Sequence, residues 1–477
     1  MKESNERRSI LSGLAWKMSE RLLSQGVAFA VSMVLARLVM PEDYGTIALI
    51  QVFINLSAVF IQSGFATALI QKKDADDTDF STIYYCSQLC AVVIYVILFF
   101  AAPFVADFYD KPVLVPTLRV FSLQIPLSAF SSIQMAYISR HMKFSKGFVS
   151  SLISAAVSGG VGIAMAYAGF GVWALVAQSL TANLVTSLVL LVLVPWRPRL
   201  RFSRSSAKQL MKYGSRVLGA DLSGTFFNEV RGLIIGRVYT SADLAFYSKG
   251  QTLPTMITTN LSGTLMAVLF PAMANRSDDI PHVKQMAKRC MGVLSFVLVP
   301  CMLGMAAVME ALVPVLFSDT WAQVIPYGQV LSIGYCFGVF GVVSLQVLKA
   351  IGRSDVVLGL EIWKKPVYVA LLLVSVNINV FAIAVSMALY EFYGVFINML
   401  QMKKYIGYGL REQFRDLMPA FLAGGVMMVA VALIPMFSSL VLTLVVKVAA
   451  GVLIYVGASI LFKIESFTYL LGLLKRK

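Results

Sequence analysis

The chain has 477 residues, of which 58% are apolar and 13% charged, with a formal net charge of +16. A soluble protein of this size would carry about 25% charged residues, so the composition excludes a soluble protein and indicates an integral membrane protein. The basic residues lie in short clusters between apolar runs, a placement typical of membrane topology and not of a nucleic-acid partner.

Apolar runs predict an all-α polytopic protein with about fourteen transmembrane helices. The predicted spans are 14–38, 44–70, 81–106, 118–138, 148–168, 172–195, 208–238, 243–270, 284–309, 321–348, 355–376, 379–402, 414–434 and 438–462. Alternate connections are rich in lysine and arginine, which predicts that both termini are cytoplasmic. The N-terminal MKESNERRSI is not the start of a typical cleaved signal peptide.

The chain repeats itself at an offset of about 200 residues. ARLVMPEDYGTIA from Ala36 resembles GRVYTSADLAFYS from Gly236, and FYDKPVLVPTLRVFS from Phe108 resembles FSDTWAQVIPYGQVLS from Phe317. Six spans in each copy give both copies the same orientation, so we expect pseudo-twofold symmetry about the membrane normal and a cavity at the interface. The predicted domains are an N-lobe at 1–207, a C-lobe at 208–405 and an accessory helix pair at 406–477.

Polar residues share one side of the span at 208–238. A helical projection groups seven of them in one arc, namely Asp221, Gly224, Thr225, Asn228, Glu229, Arg231 and Gly232. The first span has a matching arc of Lys17, Glu20, Arg21, Ser24, Gln25, Ala28 and Ser32. A charge at the bilayer centre costs at least about 2.5 kcal/mol, so both arcs predict a water-filled interior.

Further charges fall inside other predicted spans: Lys249, Glu361, Lys364, Lys365, Glu391 and Lys447. Glu391 is the most deeply placed carboxylate and is a candidate for titration or cation binding. Other interpretations remain open. Lys17, Arg21 and Arg231 could snorkel to a membrane surface, Glu361 and Lys365 could form a structural pair, and a tyrosine could satisfy a buried Glu391.

Residues that shape helices recur in the spans. Pro126, Pro254, Pro300 and Pro366 fall in predicted spans, where proline allows a bend. Gly232 with Gly236, and Gly334 with Gly338, have the GxxxG spacing of close helix contacts.

The sequence gives little indication of an enzyme. It has no Walker A sequence, no HExxH and no long external loop, and its histidines, His141 and His282, are far apart. Its five cysteines form no CxxC pair, so we expect no metal site and no cofactor. Asp77 and Asp79 make a D-x-D pattern of the kind used by glycosyltransferases, but in a short connection that is better interpreted as a solvated turn.

Several of these segments resemble a known family. LARLVMPEDYGTIA, SGFATALIQ from Ser63, the run from Phe108 to RHMKF, and IIGRVYTSADLAFYSKGQTLP are similar to Wzx-type lipid-linked oligosaccharide flippases. These polysaccharide exporters belong to the multidrug/oligosaccharidyl-lipid/polysaccharide (MOP) superfamily, and the colanic-acid exporter branch is the most similar. The similarity runs over most of the chain.

The resemblance implies alternating access and a specific substrate class. It implies that undecaprenyl-pyrophosphate-linked oligosaccharide moves from the cytoplasmic to the periplasmic leaflet of the bacterial inner membrane, for O-antigen, capsule or exopolysaccharide synthesis. Membrane lipid, a polysaccharide polymerase and export machinery are the implied partners. The substrate-binding candidates are Lys17, Arg21, Gln25, Asn228, Arg231, Lys249, Lys364 and Lys365. A H⁺ or Na⁺ gradient is the implied driving force, with Asp221, Glu229 and Glu391 as ion-coupling candidates.

Three other functions are compared with an oligosaccharide flippase. A cation-coupled multidrug exporter would have a cavity dominated by carboxylates and aromatics, whereas lysine and arginine are at least as numerous here. A lipid II flippase also has fourteen spans and a basic cavity. A membrane polymerase or ligase would need a large periplasmic loop carrying catalytic residues, and the sequence has no such loop.

Overall fold

In the computed structural model of the protein, the described residues are 23–61, 69, 75–141, 143–468 and 472. Within these ranges, the side chains of residues 209–217, 220 and 264–272 are not described. The chain packs as two compact units, and the boundary between them lies between Ala245 and Phe246.

The first unit is built of eight helices within the described residues. They are α1 Leu23–Leu38, α2 Pro41–Ile61, α3 Asp77–Phe108, α4 Leu114–Phe121, α5 Gln124–Arg140, α6 Phe144–Tyr167, α7 Val172–Leu193 and α8 Arg204–Val238. The unit ends in the first turns of α9, Ser241–Ala274. Helix α8 packs against α2 and α3.

The second unit continues α9 and adds a further set of helices. They are α10 Ile280–Leu316, a 3₁₀ turn at Asp319–Trp321, α11 Val324–Ala350, α12 Ser354–Ser375, α13 Val380–Ile406, α14 Leu410–Ala432 and α15 Leu440–Leu461. The main packing pairs are α11 with α13, and α10 with α11 and α14. Helix α15 packs against α14 and α10, so the predicted accessory pair belongs to this unit. The lobe division predicted from the repeat, at 1–207, 208–405 and 406–477, stays a prediction.

Local sequence explains where several helices begin. Asp76 and Asp79 form a capping box, in which each carboxylate accepts a hydrogen bond from the other residue's backbone N–H. Ser203, Asp279, Asn379 and Ser439 cap α8, α10, α13 and α15 in the same way with one side-chain oxygen each. Asp77 pairs with Arg199 at 3.3 Å. The D-x-D pattern therefore has structural partners.

Helix boundaries follow the internal repeat. Helix α1 ends at Leu38 and α8 at Val238, while α2 begins at Pro41 and α9 at Ser241, each pair 200 residues apart. In both copies a long helix, α3 or α10, then follows. The duplicated sequence thus specifies a duplicated order of elements.

Nine helices in the described part of the chain are long and apolar enough to cross a membrane. Their outer faces carry exposed apolar side chains, such as Phe104 on α3 at 76% and Leu453 on α15 at 74%. Such faces are stable against hydrocarbon and not against water. Helices α8, α9 and α12 are not among the nine, and they carry many of the polar and charged residues that the sequence assigns to a wet interior.

The prediction of one continuous span at 118–138 was wrong. The chain forms two helices there, with a break at Ser122 and Leu123 between α4 and α5. Pro126 lies in the first turn of α5, where its missing N–H has no helical partner to lose. Pro254, Pro300 and Pro366 lie inside helices that continue past them.

Glycine allows α11 and α13 to pack closely. A Cβ on Gly334 would lie 2.6 Å from Ala388 Cα, and one on Gly338 would lie 2.7 Å from Glu391 Oε2. Real Cβ atoms essentially never approach other atoms so closely. The GxxxG prediction for this pair is therefore confirmed as a close helix contact.

Gly334→Ala should destabilise the second unit, because the added methyl overlaps backbone atoms that cannot rotate away. We expect a loss of about 1–3 kcal/mol, measured as a lower Tm of the purified protein in detergent. Gly359→Ala in α12 is the matched control, since a Cβ there meets nothing within 4 Å. An unchanged Tm for Gly334→Ala would contradict the observed packing.

Candidate functional site

The predicted site residues divide between the two units. Lys17, Arg21 and Glu20 lie outside the described residues. Gln25 is half-buried on α1. Asp221, Asn228, Glu229 and Arg231 lie on α8 in the first unit, and Lys249, Lys364, Lys365 and Glu391 lie in the second.

The polar arc of α8 is graded from buried to exposed. Arg231 is 4% exposed, Glu229 is half-buried, and Asp221 and Asn228 are exposed. On the opposite side Phe226 is 45% exposed, which suits a lipid-facing aromatic residue. Arg231 therefore takes part in helix packing, while Asp221 and Asn228 lie at the surface of the unit.

A hydrogen-bonded chain of polar side chains joins α2 to α8. Gln51 Nε2 donates to Asn55 Oδ1 at 2.8 Å, and Asn55 Nδ2 donates to Glu229 Oε1, also at 2.8 Å. Gln51 and Asn55 are not among the predicted site residues. Their spacing of four residues in an apolar helix was the available signal, since it places both side chains on one face.

Small residues bring α8 close to α2. A Cβ on Gly236 would lie 2.9 Å from the Leu49 side chain, and one on Gly232 would lie 3.4 Å from Val52. These contacts confirm the close helix approach predicted from GxxxG. They also hold Glu229 within reach of Asn55.

Asn55→Leu should lower stability more than Glu229→Gln, because leucine leaves a half-buried carboxylate without its amide donor. We expect a cost of about 1–3 kcal/mol for Asn55→Leu, and a smaller cost when Glu229→Gln is already present. The measurement is a double-mutant cycle on thermal unfolding. Strict additivity of the two changes would show that this hydrogen bond contributes nothing.

The connection between α3 and α4 meets the turn between α8 and α9. Lys111 Nζ donates to Ser241 Oγ, and Arg237 forms an ion pair with Asp110 at 3.1 Å. The Tyr109 hydroxyl donates to the Leu233 carbonyl at 3.3 Å. Partial burial lowers the pKa of Lys111. We call this group of contacts the turn cluster.

Gly45 in the first turns of α2 completes the turn cluster. A Cβ at this position would lie 1.8 Å from the backbone oxygen of Ser241. This is the tightest approach at any described glycine, and it leaves no room for a side chain. The N-terminal end of α2 can therefore rest on the α8–α9 turn only because residue 45 is glycine.

In the second unit, Lys364 forms an ion pair within α12. Its side chain is 7% exposed, and Nζ donates to Glu361 Oε1 at 2.5 Å. The side chain also lies against α13, where a Cβ on Gly394 would be 3.7 Å from its Cδ atom. The observed partner of Glu361 is thus Lys364, three residues away, while Lys365 is half-buried.

The other charges of this unit lie in different surroundings. Lys249 Nζ is 5.4 Å from the ring centre of Phe317 and 5.8 Å from that of Trp321, a cation–π arrangement. Glu391 is half-buried on α13 facing Gly338 of α11. Lys447 is 2% exposed on α15. Each unit therefore holds both cationic and carboxylate side chains inside its helical packing.

These charges define the chemistry that the helices can perform. Lysine and arginine can hold a phosphate or pyrophosphate, amides can bind sugar hydroxyls, and a carboxylate can take up a proton or a cation. Their assignment to a substrate or to a coupling ion stays a prediction.

Comparison with known proteins identifies a family and several relatives. Residues 34–326 match the sequence model of a family described as polysaccharide biosynthesis protein. The chain is 24% identical to a succinoglycan biosynthesis transport protein of Rhizobium meliloti over 67% of its length and 65% of the relative. It is 22% identical to a lipopolysaccharide biosynthesis protein of Escherichia coli, over 77% of this chain and 75% of that one. The match to a teichuronic acid biosynthesis protein of Bacillus subtilis is 23%, over 62% of each chain. The chain thus spans only about two thirds of the length of some of these relatives.

Solved structures show which fold the chain has. A lipid II flippase in an inward closed conformation aligns with a TM-score of 0.75 at 12% identity, covering 94% of this chain and 99% of that one. An inward-facing multidrug resistance transporter of the MATE family, within the MOP superfamily, aligns with a TM-score of 0.62 at 14% identity, over 80% and 94% of the chains. The chain therefore has the MOP-superfamily fold.

Proposed function

Because the chain belongs to the polysaccharide biosynthesis protein family, we propose that it is a flippase for lipid-linked oligosaccharides. It moves undecaprenyl-pyrophosphate-linked repeat units from the cytoplasmic to the periplasmic leaflet by alternating access. The product supplies the synthesis of a surface polysaccharide.

The family match carries this proposal, and three further observations support it. The relatives in Rhizobium and Bacillus are named for succinoglycan transport and teichuronic acid biosynthesis, both of which concern polysaccharides. The fold is shared with transporters over most of the chain. Basic side chains such as Arg231 and Lys364 are buried in the helical packing, and such cations are able to bind an anionic head group.

We assign roles to the charged and polar residues as follows. The pyrophosphate and glycan are bound by Lys17, Arg21, Gln25, Asn228, Arg231, Lys249, Lys364 and Lys365. A proton or sodium ion couples transport to the membrane gradient at Asp221, Glu229 or Glu391. Of these carboxylates, Glu229 already accepts a hydrogen bond from the Asn55 amide nitrogen. If Asp221→Asn and Glu391→Gln variants kept full export with unchanged ion dependence, those two residues would have no coupling role.

The protein is a multi-pass membrane protein, and we place it in the bacterial cytoplasmic membrane. The clusters of lysine and arginine at alternate connections support cytoplasmic termini. In this orientation the turn cluster is periplasmic. A polysaccharide polymerase would then use the delivered repeat units.

Deletion of the gene in its own host tests the proposal. We expect loss of one surface polysaccharide and accumulation of its lipid-linked repeat unit, both restored by the wild-type gene on a plasmid. The two other superfamily functions predict different results. A lipid II flippase would cause accumulation of lipid II and cell lysis, and a drug exporter would cause drug sensitivity with normal surface glycan.

A further inference from the structure

A polar pocket opens in the second unit, apart from the predicted transport residues. It has a volume of about 680 Å³ and lies between the N-terminal part of α10, the first turns of α14 and the segment that follows α15. Four basic side chains line it, together with two acidic ones: Lys288, Arg289, Arg415 and Lys463, with Asp416 and Glu465. We call this the α10–α14 pocket.

The pocket lies at the level of a membrane surface. Helix α10 has 37 residues and is therefore about 55 Å long, while the hydrocarbon core is about 30 Å thick. The residues of α10 that line the pocket, from Gln285 to Val293, mark the change from its charged first turns to its apolar remainder. By charge placement this end is on the cytoplasmic side.

Basic side chains outnumber acidic ones in the pocket, and Asp416 already interacts with neighbouring residues. Asp416 Oδ1 lies 3.4 Å from Lys288 Nζ and 4.0 Å from Arg415 Nε, and its other oxygen accepts a hydrogen bond from Tyr408 at 2.8 Å. Burial raises the pKa of Tyr408, which keeps its phenol protonated as the donor. Among the described residues, Arg289 and Lys463 have no acidic partner within 4 Å.

Lys463 has a backbone conformation that glycine usually adopts. Lys463 has φ of +49° at the end of α15, where its N–H bonds to Ile460 and the next N–H bonds to Ser459. Glycine is preferred at this position of a helix end, and Gly169 and Gly352 occupy it after α6 and α11. A lysine in this left-handed conformation is strained, and such strain is typical of functional sites.

Gly292 allows the segment after α15 to lie close to α10. A Cβ at this position of α10 would lie 2.8 Å from the Ser466 Oγ atom. A side chain at residue 292 would therefore push this segment, which carries Lys463, away from α10.

From these observations we infer that the α10–α14 pocket binds the phosphate head group of an anionic membrane phospholipid. Basic pockets between membrane helices on the cytoplasmic side suit cardiolipin and similar head groups. A lipid bound here bridges α10, α14 and the end of α15, and so fixes the accessory helices to the second unit. This inference requires only that the protein lies in a membrane, and it is independent of the transported substrate.

Lipid titration of the purified full-length protein tests the inference, with binding followed by native mass spectrometry. Cardiolipin should bind more tightly than phosphatidylcholine, and Arg289→Gln with Lys463→Gln should weaken it about thirty-fold, or about fivefold per cation. The matched control removes two exposed cations elsewhere in the unit, Lys349→Gln with Lys403→Gln, and should bind as the wild type does. Equal weakening in the control pair would overturn the assignment.

Two further variants separate binding from folding. Lys463→Gly should raise or preserve the Tm without lipid, because glycine relieves the left-handed strain, yet weaken cardiolipin binding about fivefold. Gly292→Leu should weaken binding by moving Ser466 and the neighbouring Lys463 away from α10, with every charge retained. Wild-type affinity in a well-folded Lys463→Gly protein would contradict the inference.

The source of the phosphate is tested with separate probes. Binding of inorganic phosphate as tight as that of cardiolipin would show an anion site and not a lipid site. Binding of undecaprenyl phosphate in preference to cardiolipin would assign the pocket to the transported lipid. Either result would contradict a phospholipid site.

Discussion

Gly45→Leu is expected to abolish polysaccharide export while the protein still inserts into the membrane. The new Cβ would overlap the backbone oxygen of Ser241, from which it would be only 1.8 Å away. Neither group can rotate aside, so the end of α2 must move away from the α8–α9 turn. We expect this to cost about 3 kcal/mol or more, at or above the upper end of typical overpacking penalties.

Export is measured as surface polysaccharide in a deletion strain that expresses the variant at wild-type level. Gly160→Leu on α6 is the matched control, since a Cβ there meets nothing within 4 Å. Ser241→Ala tests the polar part of the turn cluster alone. It removes the hydroxyl that Lys111 bonds to, keeps the backbone oxygen, and should reduce export much less. Normal export by Gly45→Leu would show that this contact is not needed in the transport cycle.

Lys364→Gln is expected to lower transport by about 10- to 100-fold. A charge-assisted hydrogen bond to a phosphate contributes about 1.5–3 kcal/mol, and glutamine is too weak a donor to replace it. The expected loss rests on the proposed role of Lys364 in binding the pyrophosphate. It is measured as the rate of export at equal protein abundance.

Glu361→Gln distinguishes substrate binding from a structural role of the ion pair. Both substitutions break the pair between Glu361 and Lys364, but only Glu361→Gln keeps the cation. Under the proposal, Glu361→Gln changes export by less than about threefold, since it removes no phosphate contact. Equal losses of export and of Tm in both variants would indicate that the pair only stabilises α12 against α13.

The sequence predicted helices well, because hydrophobic length and helix caps are local properties. Thirteen of the fourteen predicted spans each overlap one α-helix of the described chain. The exception, 118–138, contains a two-residue break after Phe121 that its apolar composition concealed. The repeat also predicted that α1 and α8 would end 200 residues apart.

Contacts between distant segments could not be predicted in the same way. The helical projection of α8 placed Glu229 on a polar face but gave no partner, since Asn55 is 174 residues away. The sequence PEDYG shows a glycine at position 45 without showing that Ser241 lies against it. The α10–α14 pocket combines cations from three elements that are far apart in the sequence. Such features depend on which helices pack together, and the hydrophobic pattern of a single helix does not identify its neighbours.

The most direct test of the central claim is transport by the purified protein. Proteoliposomes would carry a fluorescent undecaprenyl-pyrophosphate-linked oligosaccharide from the host, and a membrane-impermeant glycosidase would report which leaflet exposes the glycan. We expect wild-type protein to make the inner-leaflet substrate accessible. Gly45→Leu should not do so, and Lys364→Gln should do so at least about tenfold more slowly. If the inner-leaflet glycan stayed protected with folded, correctly inserted wild-type protein under an imposed proton or sodium gradient, the flippase proposal would be contradicted.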